Sequence, residues 1–298
     1  MIVCGKEIQV EGRLCRIARL DADRYKFLDD PESTIEILRK SDTRVDLFTF
    51  IQKPSDTQPR YSYPMEWDNL AVLSVSTFED WWNRQLGFKA RNKAKQAHKK
   101  GVIIREVPFD ETFVHGIWEI YNETPVRQGR PFPHYGKNID VVRKISATYL
   151  DSSIFIGAFL DERLIGFIKL TTDDDRTQAG IMHIVSMIRH RDKAPTNALV
   201  AQAVRSCADR NISRLVYSNF AYGKKQTSTL SDFKERNCFQ RIDVPRYYVP
   251  LTAVGSIALR LGLHRNFIDF LPGPMLAKLR EIRDSWYNRR FPTPAQES

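Results

Sequence analysis

The stretch GIMHIVSMIRHRDKAPTNALVAQAVRSCADRNISRLVYSN, residues 180–219, is the most informative about the fold of this chain and opens the longer region Gly180–Tyr248. The run Ile181–Met187 predicts a strand, and the basic residues Arg189–Lys193 predict a turn. An apolar-periodic helix and a second buried strand, Arg214–Asn219, follow. Because a helix N-terminus after a strand offers unpaired N–H groups and a favourable dipole, this order predicts a binding site for phosphate.

The composition is that of a globular chain with an excess of positive charge. The 298 residues are 42% hydrophobic and 28% charged, and the formal net charge is +10 with a pI near 9.4. No apolar run approaches the roughly 20 residues that span a bilayer, and the N-terminal residues lack a secretory pattern, so we expect a cytoplasmic protein. This basic protein is expected to have an anionic partner: a nucleotide cofactor, a nucleic acid, an anionic glycan or a membrane surface.

Metal chemistry is not expected from the side chains of this chain. The four cysteines show no zinc-binding spacing. The carboxylate run Asp173–Asp175 falls where a turn between two strands is predicted, so a solvated loop explains it. We therefore predict that the protein uses no metal.

Three regions are predicted along the chain. Residues 1–101 form a small α+β half that ends in a basic helix, Lys89–Lys100. Residues 102–250 show the element order β-α-α-β-β-β-α-β-α-β, and residues 251–298 form a helical C-terminal extension. This organisation predicts one larger domain with a smaller half before it.

Helix ends are predicted from capping residues and glycines. Thr77 and Asp110 are the expected N-cap residues of two helices. The helix that starts after Thr77 is expected to run to Lys100, with an interruption at Gly87, and Gly101 suits the position after its end.

The element order of residues 102–250 resembles the core of the GNAT (acyl-CoA N-acyltransferase) superfamily. Ser231–Phe239, SDFKERNCF, is similar to an FK-x-x-x-G-F ending of the FemABX-like branch. Residues Arg91–Val102 loosely match a second pattern of that branch, R-N-x-x-K-K-A-x-K-x-G-V. The resemblance implies an α/β (α+β) fold, with a GNAT-like mixed sheet flanked by helices and an N-terminal half that is a degenerate repeat.

The same resemblance implies an acyltransferase. Such an enzyme moves an acyl group, here expected to be acetyl, from a CoA thioester directly to an amine. The acceptor would be a sugar, an amino acid or a cell-envelope precursor. The FemABX-like branch uses aminoacyl-tRNA as its donor instead of acyl-CoA, and this alternative stays open.

The resemblance also implies a donor site at the end of the central strand. The backbone N–H groups of Met187 and Ile188 would hold the pantetheine of acetyl-CoA or another acyl-CoA and polarise the carbonyl. The pyrophosphate would lie over the turn and the helix start, against Arg189, Arg191, Lys193, Ala194, Thr196 and Asn197. The turn contains no glycine, which departs from the usual GNAT pattern and agrees with the FemABX-like branch.

The loop Asn122–Lys137 contains too many prolines and glycines for regular structure. In GNAT folds this loop lines the acceptor pocket, so the resemblance implies that it binds the acceptor. The substrate-binding candidates are Arg127, Arg130, His134 and Tyr135. The catalytic candidates are Glu123 as the base, Tyr222 as the acid for the leaving group, and Lys234 as a cation near the donor carbonyl.

Two other classes of protein also fit the charge. A non-catalytic nucleic-acid-binding protein would use the basic helix Lys89–Lys100, although the chain has no helix-turn-helix, zinc or RRM signature. If tRNA is a partner of the enzyme, the same helix would bind it. A peripheral membrane contact would use the apolar segment Ile257–Leu271 and the basic tail Lys278–Arg290, which a helix docked on the core also explains.

Overall fold

The computed structural model describes residues 1–127, 129–221 and 228–265. These residues divide into two compact units, each built from stretches that are distant in sequence. Unit 1 comprises Met1–Gln85, Thr171–Met182 and the described part of Cys207–Asp269, and unit 2 comprises Leu86–Leu170 and His183–Ser206. The domain boundaries at residues 101 and 250 stay a prediction.

The strands are, in chain order, β1 (Ile2–Val3), β2 (Lys6–Glu11), β3 (Ile17–Leu20), β4 (Leu47–Ile51), β5 (Met65–Ser74), β6 (Ile103–Val107), β7 (Val126–Arg127), β8 (Arg130–Pro131), β9 (Ser153–Leu160), β10 (Arg163–Thr172), β11 (Gln178–Ser186), β12 (Arg214–Val216) and β13 (Gln240–Pro250). The α-helices are α1 (Pro31–Lys40), α2 (Phe78–Asp80), α3 (Phe88–Lys99), α4 (Glu111–Tyr121), α5 (Ile139–Ser146), α6 (Pro195–Asp209), α7 (Thr229–Arg236) and α8 (Ala253–Arg260). A π-helix covers Trp81–Gln85, and 3-10 helices cover Leu150–Ser152 and Ile188–Lys193.

Unit 1 is organised around β13, which pairs antiparallel with both β4 and β5. The strand order continues from β4 through β3 and β2 to β1, and from β5 through β12 to the start of β11. Strand β11 pairs parallel with β12 from Gln178 to Gly180. All five residues of β4 are buried, and Phe48, Phe50 and Tyr247 belong to the core of this unit. A strand covered on both faces needs apolar residues at every position, which the sequence LFTFI largely provides.

Unit 2 is built on the hairpin of β9 and β10, with β6 antiparallel to β9. Asp161 and Glu162 in the hairpin turn have φ of 48° and 60°, the left-handed values that a two-residue turn between twisted strands requires. Helix α4 packs on this hairpin, and a Cβ at Gly116 would lie 2.7 Å from the side chain of Leu164. The close approach therefore depends on glycine at position 116.

Short-range signals predict several helix ends correctly. Thr77 and Asp110 cap α2 and α4, with their side chains accepting from the N–H groups of Asp80 and Phe113. The helical stretch that the sequence predicts up to Lys100 is interrupted at Gly87, as expected, and α3 starts after it. Gly101 follows α3 with φ of +79°, which suits a glycine after a helix end.

The fold class agrees with the prediction: the protein is α+β, with a large mixed sheet flanked by helices. Across the residues that the structure describes, no helix has the length and apolar character needed to cross a bilayer. Within the same residues, no group of three or more His, Cys, Asp or Glu side chains could hold a metal ion.

Candidate functional site

The predicted phosphate turn is a short 3-10 helix, Ile188–Lys193, between β11 and α6. Ala194 ends it in the left-handed conformation with φ of 53°, and α6 begins at Pro195. Proline suits the first position of a helix because its φ is already helical and the missing N–H is not needed there. The Oγ atoms of Ser186 and Thr196 lie 2.8 Å apart and hydrogen-bond to each other, which ties the helix start to the end of β11.

The Glu123 carboxylate lies against the backbone of this turn. It accepts hydrogen bonds from the N–H of Ile188 at 2.7 Å and from the N–H of Arg189 at 3.1 Å. It also pairs with the guanidinium of Arg127 at 3.1 Å, and both side chains are largely buried. The turn therefore binds an anion in this structure, and that anion is a side chain of the protein itself.

The N–H groups predicted to hold the donor are already hydrogen-bonded within unit 2. Met187 N–H donates to the carbonyl of Ile165 at 2.7 Å, and Ile188 N–H donates to Glu123. Asn197 N–H donates to the carbonyl of Ala194 at 3.2 Å. A donor could reach the Ile188 N–H only after the Glu123 carboxylate has moved, and the assigned roles of these groups stay predictions.

Arg127 holds the loop after α4 rather than projecting into solvent. Its guanidinium donates to the carbonyls of Ser186 at 2.7 Å and Ile120 at 2.8 Å, and it lies over the ring of Phe132. Burial lowers the pKa of Arg127, and the nearby Glu123 carboxylate opposes that shift. Arg127 and Glu123 thus join α4, the loop and the end of β11 within unit 2.

The other acceptor candidates fall into two groups. Arg130 and Tyr135 are exposed, whereas the His134 ring stacks on Tyr121 with the ring centroids 4.4 Å apart. His183 of β11 lies edge-on to His134 at 6.0 Å. The Tyr121 hydroxyl and the His134 Nδ1 belong to the buried side-chain atoms that have no hydrogen-bond partner among the described residues.

The surroundings of His134 and His183 disfavour the protonated, positively charged form of both rings. Burial, together with the charge of Lys169 and the nearby His134, lowers the pKa of His183 to about 4. Burial also lowers the pKa of His134, with smaller contributions from Lys137 and Arg127. Both imidazoles are therefore neutral near pH 7. Each can donate one hydrogen bond from its N–H and accept one at its other ring nitrogen.

Lys169 is a fully buried lysine in β10 that the sequence analysis did not single out. Its ammonium donates to the carbonyl of Ser146 at 2.9 Å and to the carbonyl and Oγ1 of Thr148. Burial lowers its pKa to about 8. A lone charge in the otherwise apolar run LIGFIKL is the signal that could have identified it.

Lys234 is also fully buried, on α7 in unit 1. Its Nζ donates to the carbonyl of Asn219 at 2.5 Å and lies 4.5 Å from the centre of the Tyr217 ring. Burial lowers the pKa of Lys234 to about 7. Tyr222, the predicted acid, lies outside the described residues, so the roles of both side chains stay predictions.

The basic helix α3 lies against the predicted phosphate turn within unit 2. Gln96 Nε2 donates to the carbonyl of Asp192 at 2.6 Å, and Lys100 forms an ion pair with the Asp192 carboxylate at 3.0 Å. Buried alanines on one face of α3 leave its cations in solvent. The exposed cations of α3 and the residue after it are Lys89, Lys93, Lys95, Lys99 and Lys100.

The turn contributes further cations to the same area, namely Arg189, Arg191 and the partly buried Lys193. We call these three residues and the exposed lysines of the α3 segment the basic surface. No acidic residue occurs in the sequence between Asp80 and Glu106, so Asp192 supplies a carboxylate to α3 that the helix itself lacks. The sequence predicted the two basic segments separately, and the structure brings them together.

The fold is similar to that of several solved structures. FemX matches with a TM-score of 0.60 and 8% identity over 86% of each chain. L-PGS from Bacillus licheniformis matches with a TM-score of 0.57 and 14% identity over 89% of each chain. The C-terminal domain of a proposed lysylphosphatidylglycerol synthetase from Agrobacterium fabrum matches with a TM-score of 0.55 and 12% identity, covering 87% of this chain and 86% of that one.

These likenesses confirm the predicted GNAT-like fold at low sequence identity. No family model matches the chain. No curated protein matches it either. The likenesses to solved structures therefore concern the fold alone.

Proposed function

We propose that this protein is an acyltransferase whose donor is an aminoacyl-tRNA. The observation that carries the proposal is the contact of α3 with the turn Ile188–Lys193 through Asp192. This contact brings the exposed lysines of the α3 segment next to the cations of the turn. Because a helix of 12 residues is about 18 Å long, the basic surface is longer than one pyrophosphate. Lys and Arg that neutralise phosphates supply most of the sequence-independent affinity for nucleic acids.

The turn itself also favours aminoacyl-tRNA over a CoA thioester as the donor. It lacks the glycines that would let a pyrophosphate approach the backbone, and Glu123 already occupies the N–H groups of Ile188 and Arg189. A tRNA that binds by side-chain contacts to its phosphates does not need these N–H groups. The names of two fold neighbours, which refer to lysylphosphatidylglycerol synthetase and L-PGS, are compatible with aminoacyl transfer.

In the proposed reaction, the amine of the acceptor attacks the ester carbonyl of the aminoacyl group. The new C–N bond forms as the ester C–O bond breaks, the amine loses one proton, and the ribose oxygen of the tRNA gains one. No covalent enzyme intermediate is needed. A cation or N–H donor near the carbonyl oxygen would stabilise the negative charge that develops there.

A CoA thioester is the second candidate donor. The start of α6, with Pro195 at its first position and Thr196 beside Ser186, has the form of an anion site at a helix N-terminus. This alternative requires the Glu123 carboxylate to leave the turn when the donor binds. A CoA thioester at the turn therefore requires Glu123 to move, whereas an aminoacyl-tRNA bound through its phosphates does not.

The test compares binding of deacylated tRNA with binding of acetyl-CoA. Lys99→Glu reverses an exposed charge in the last turn of α3, and Lys40→Glu makes the same change in the last turn of α1, outside the basic surface. We expect Lys99→Glu to weaken tRNA binding and to reduce the slope of log K against log salt by about 1. Lys40→Glu should bind tRNA as the wild type does.

Transfer from a radiolabelled aminoacyl-tRNA to a panel of amines then tests the reaction. Equal tRNA affinity in the two variants would refute the basic surface as the tRNA site. Saturable binding of acetyl-CoA that persists at moderate salt, without tRNA binding, would favour the second candidate.

A further inference from the structure

Helix α8 exposes large apolar side chains and buries small ones. The exposed fractions are 40% for Val254, 56% for Ile257 and 63% for Leu261, three residues spaced along one helix face. Gly255 and Ala258, on another face, are buried. A surface helix usually buries its large apolar residues, so this arrangement indicates a face that contacts something else.

The orientation of α8 is set by a close backbone contact. A Cβ at Gly255 would lie 1.8 Å from the carbonyl oxygen of Asp46, so the helix approaches the start of β4 too closely to roll. Thr252, the N-cap residue, donates through its Oγ1 to the Asp46 carboxylate at 2.8 Å. The apolar face cannot turn inward without losing both contacts.

The chain that leads into β3 also contacts Asp46 and carries a further exposed apolar residue. Asp46 accepts from the backbone N–H of Arg16 at 2.9 Å, and Leu14, two residues earlier, is 90% exposed. Leu263, just after α8, is 61% exposed. We call Leu14, Val254, Ile257, Leu261 and Leu263 the α8 surface.

The segments that carry the α8 surface also carry arginines. Arg13 and Arg260 are exposed, and Arg44, paired with the buried Asp46, still has 54% of its side chain in solvent. The carboxylates in and beside the same segments include the exposed Asp42, Glu11, which pairs with Arg19, and Glu66, which pairs with His264 and Arg265. No acidic residue occurs in the sequence between Asp243 and Asp269, so α8 itself adds only positive charge.

We propose that the α8 surface docks on an anionic lipid bilayer. Apolar side chains that project from a helix lying in the interface enter the acyl boundary, while flanking arginines meet lipid phosphates. An anionic bilayer is complementary to both features of this surface. The proposal goes beyond the transfer reaction and does not depend on it. The other segments predicted to contact a membrane, residues 266–271 and 278–290, lie outside the described residues.

The experiment measures co-sedimentation of the full chain with vesicles of phosphatidylcholine alone and of equal parts phosphatidylcholine and phosphatidylglycerol. Ile257→Asp changes the α8 surface. Ile37→Asp, on α1, is the matched control because Ile37 is an exposed helical isoleucine (43%) outside that surface. Circular dichroism and a thermal melt check that both variants fold.

The wild type and Ile37→Asp are expected to bind the phosphatidylglycerol vesicles, less strongly as salt is raised. Because a carboxylate replaces an apolar side chain that the bilayer would bury, Ile257→Asp should bind about tenfold or more weakly. Failure of the wild type to bind, or equal binding by Ile257→Asp, would overturn the proposal. A wild-type dimer in light scattering that Ile257→Asp dissociates, without vesicle binding, would assign the surface to a second copy of the chain.

Discussion

The carboxylate of Glu123 accepts a hydrogen bond from the backbone N–H of Ile188 at 2.7 Å, across a sequence separation of 65 residues. The N–H of Arg189 donates to its second oxygen. A turn that follows a strand and precedes a helix presents N–H groups to an anion, and here the protein supplies that anion. The relationship gives Glu123 a binding role at the turn that is separate from its predicted role as a base.

Replacement of Glu123 by glutamine should destabilise the protein. The change removes the charge beside the largely buried Arg127 and weakens the hydrogen bonds from the turn, so we expect a loss of about 2 kcal/mol in the free energy of unfolding. Urea denaturation measures it. Glu162→Gln, at a side chain that is 80% exposed, is the control and should change stability little.

A Glu123→Gln variant with wild-type stability would contradict this structural role. If that variant also transferred acyl groups more slowly, the prediction of Glu123 as the catalytic base would be favoured instead.

Asp192→Asn should strengthen tRNA binding. The change removes the carboxylate that pairs with Lys100 and Lys193, and so leaves more positive charge for phosphates. We expect a higher affinity and a steeper salt dependence in filter-binding measurements. Asp151→Asn, at an exposed residue of another 3-10 helix, removes the same charge outside the basic surface and should bind tRNA like the wild type. Weaker binding by Asp192→Asn would show that Asp192 matters more for the shape of the turn than for its charge.

Lys234→Met should change how stability depends on pH. In the folded protein burial lowers the pKa of Lys234 to about 7, from 10.5 in the unfolded chain. Between these values the unfolded chain binds a proton that the folded protein does not, so wild-type stability falls as pH drops from about 10.5 to about 7. Lys234→Met lacks this contribution and should show a smaller slope in that window. Lys40→Met, at an exposed lysine, should keep the wild-type slope.

The measurement is a series of chemical denaturation curves between pH 7 and pH 10. Equal slopes for the wild type and Lys234→Met would show that Lys234 keeps its proton when the protein folds.

His183→Gln should make the protein less sensitive to acid. The pKa of His183 is about 4 in the folded protein and 6.5 in the unfolded chain. Below pH 6.5 the unfolded chain takes up a proton first, so wild-type stability falls with pH until about pH 4. The variant lacks the contribution of His183, so its stability should fall less between pH 6.5 and about pH 4. Thermal melts across this pH range would detect the difference. His98→Gln, at an exposed histidine of α3, is the control. If the stability of His183→Gln fell below pH 6.5 as steeply as that of the wild type, the effect of burial on the pKa of His183 would be refuted.

Local patterns were sufficient for much of the fold. The strand Ile181–Met187, the capping residues Thr77 and Asp110, and the break at Gly87 depend on hydrogen bonds and side-chain preferences within a few residues. Such interactions are encoded in consecutive residues, and they were predicted close to where the structure has them. The order of these elements was also sufficient to predict the GNAT-like fold.

Contacts between residues distant in sequence could not be predicted from local patterns. Nothing in the local sequence indicates that Glu123 reaches Ile188, that Gln96 and Lys100 meet Asp192, or that Asp46 anchors α8. These pairings depend on how strands and helices pack, and packing fixes side chains that are far apart in the chain. Sequence patterns therefore established the elements, the fold class and the excess of positive charge. Tertiary packing established that the predicted donor site holds a carboxylate, that the two basic segments adjoin, and that the large apolar residues of α8 face outward.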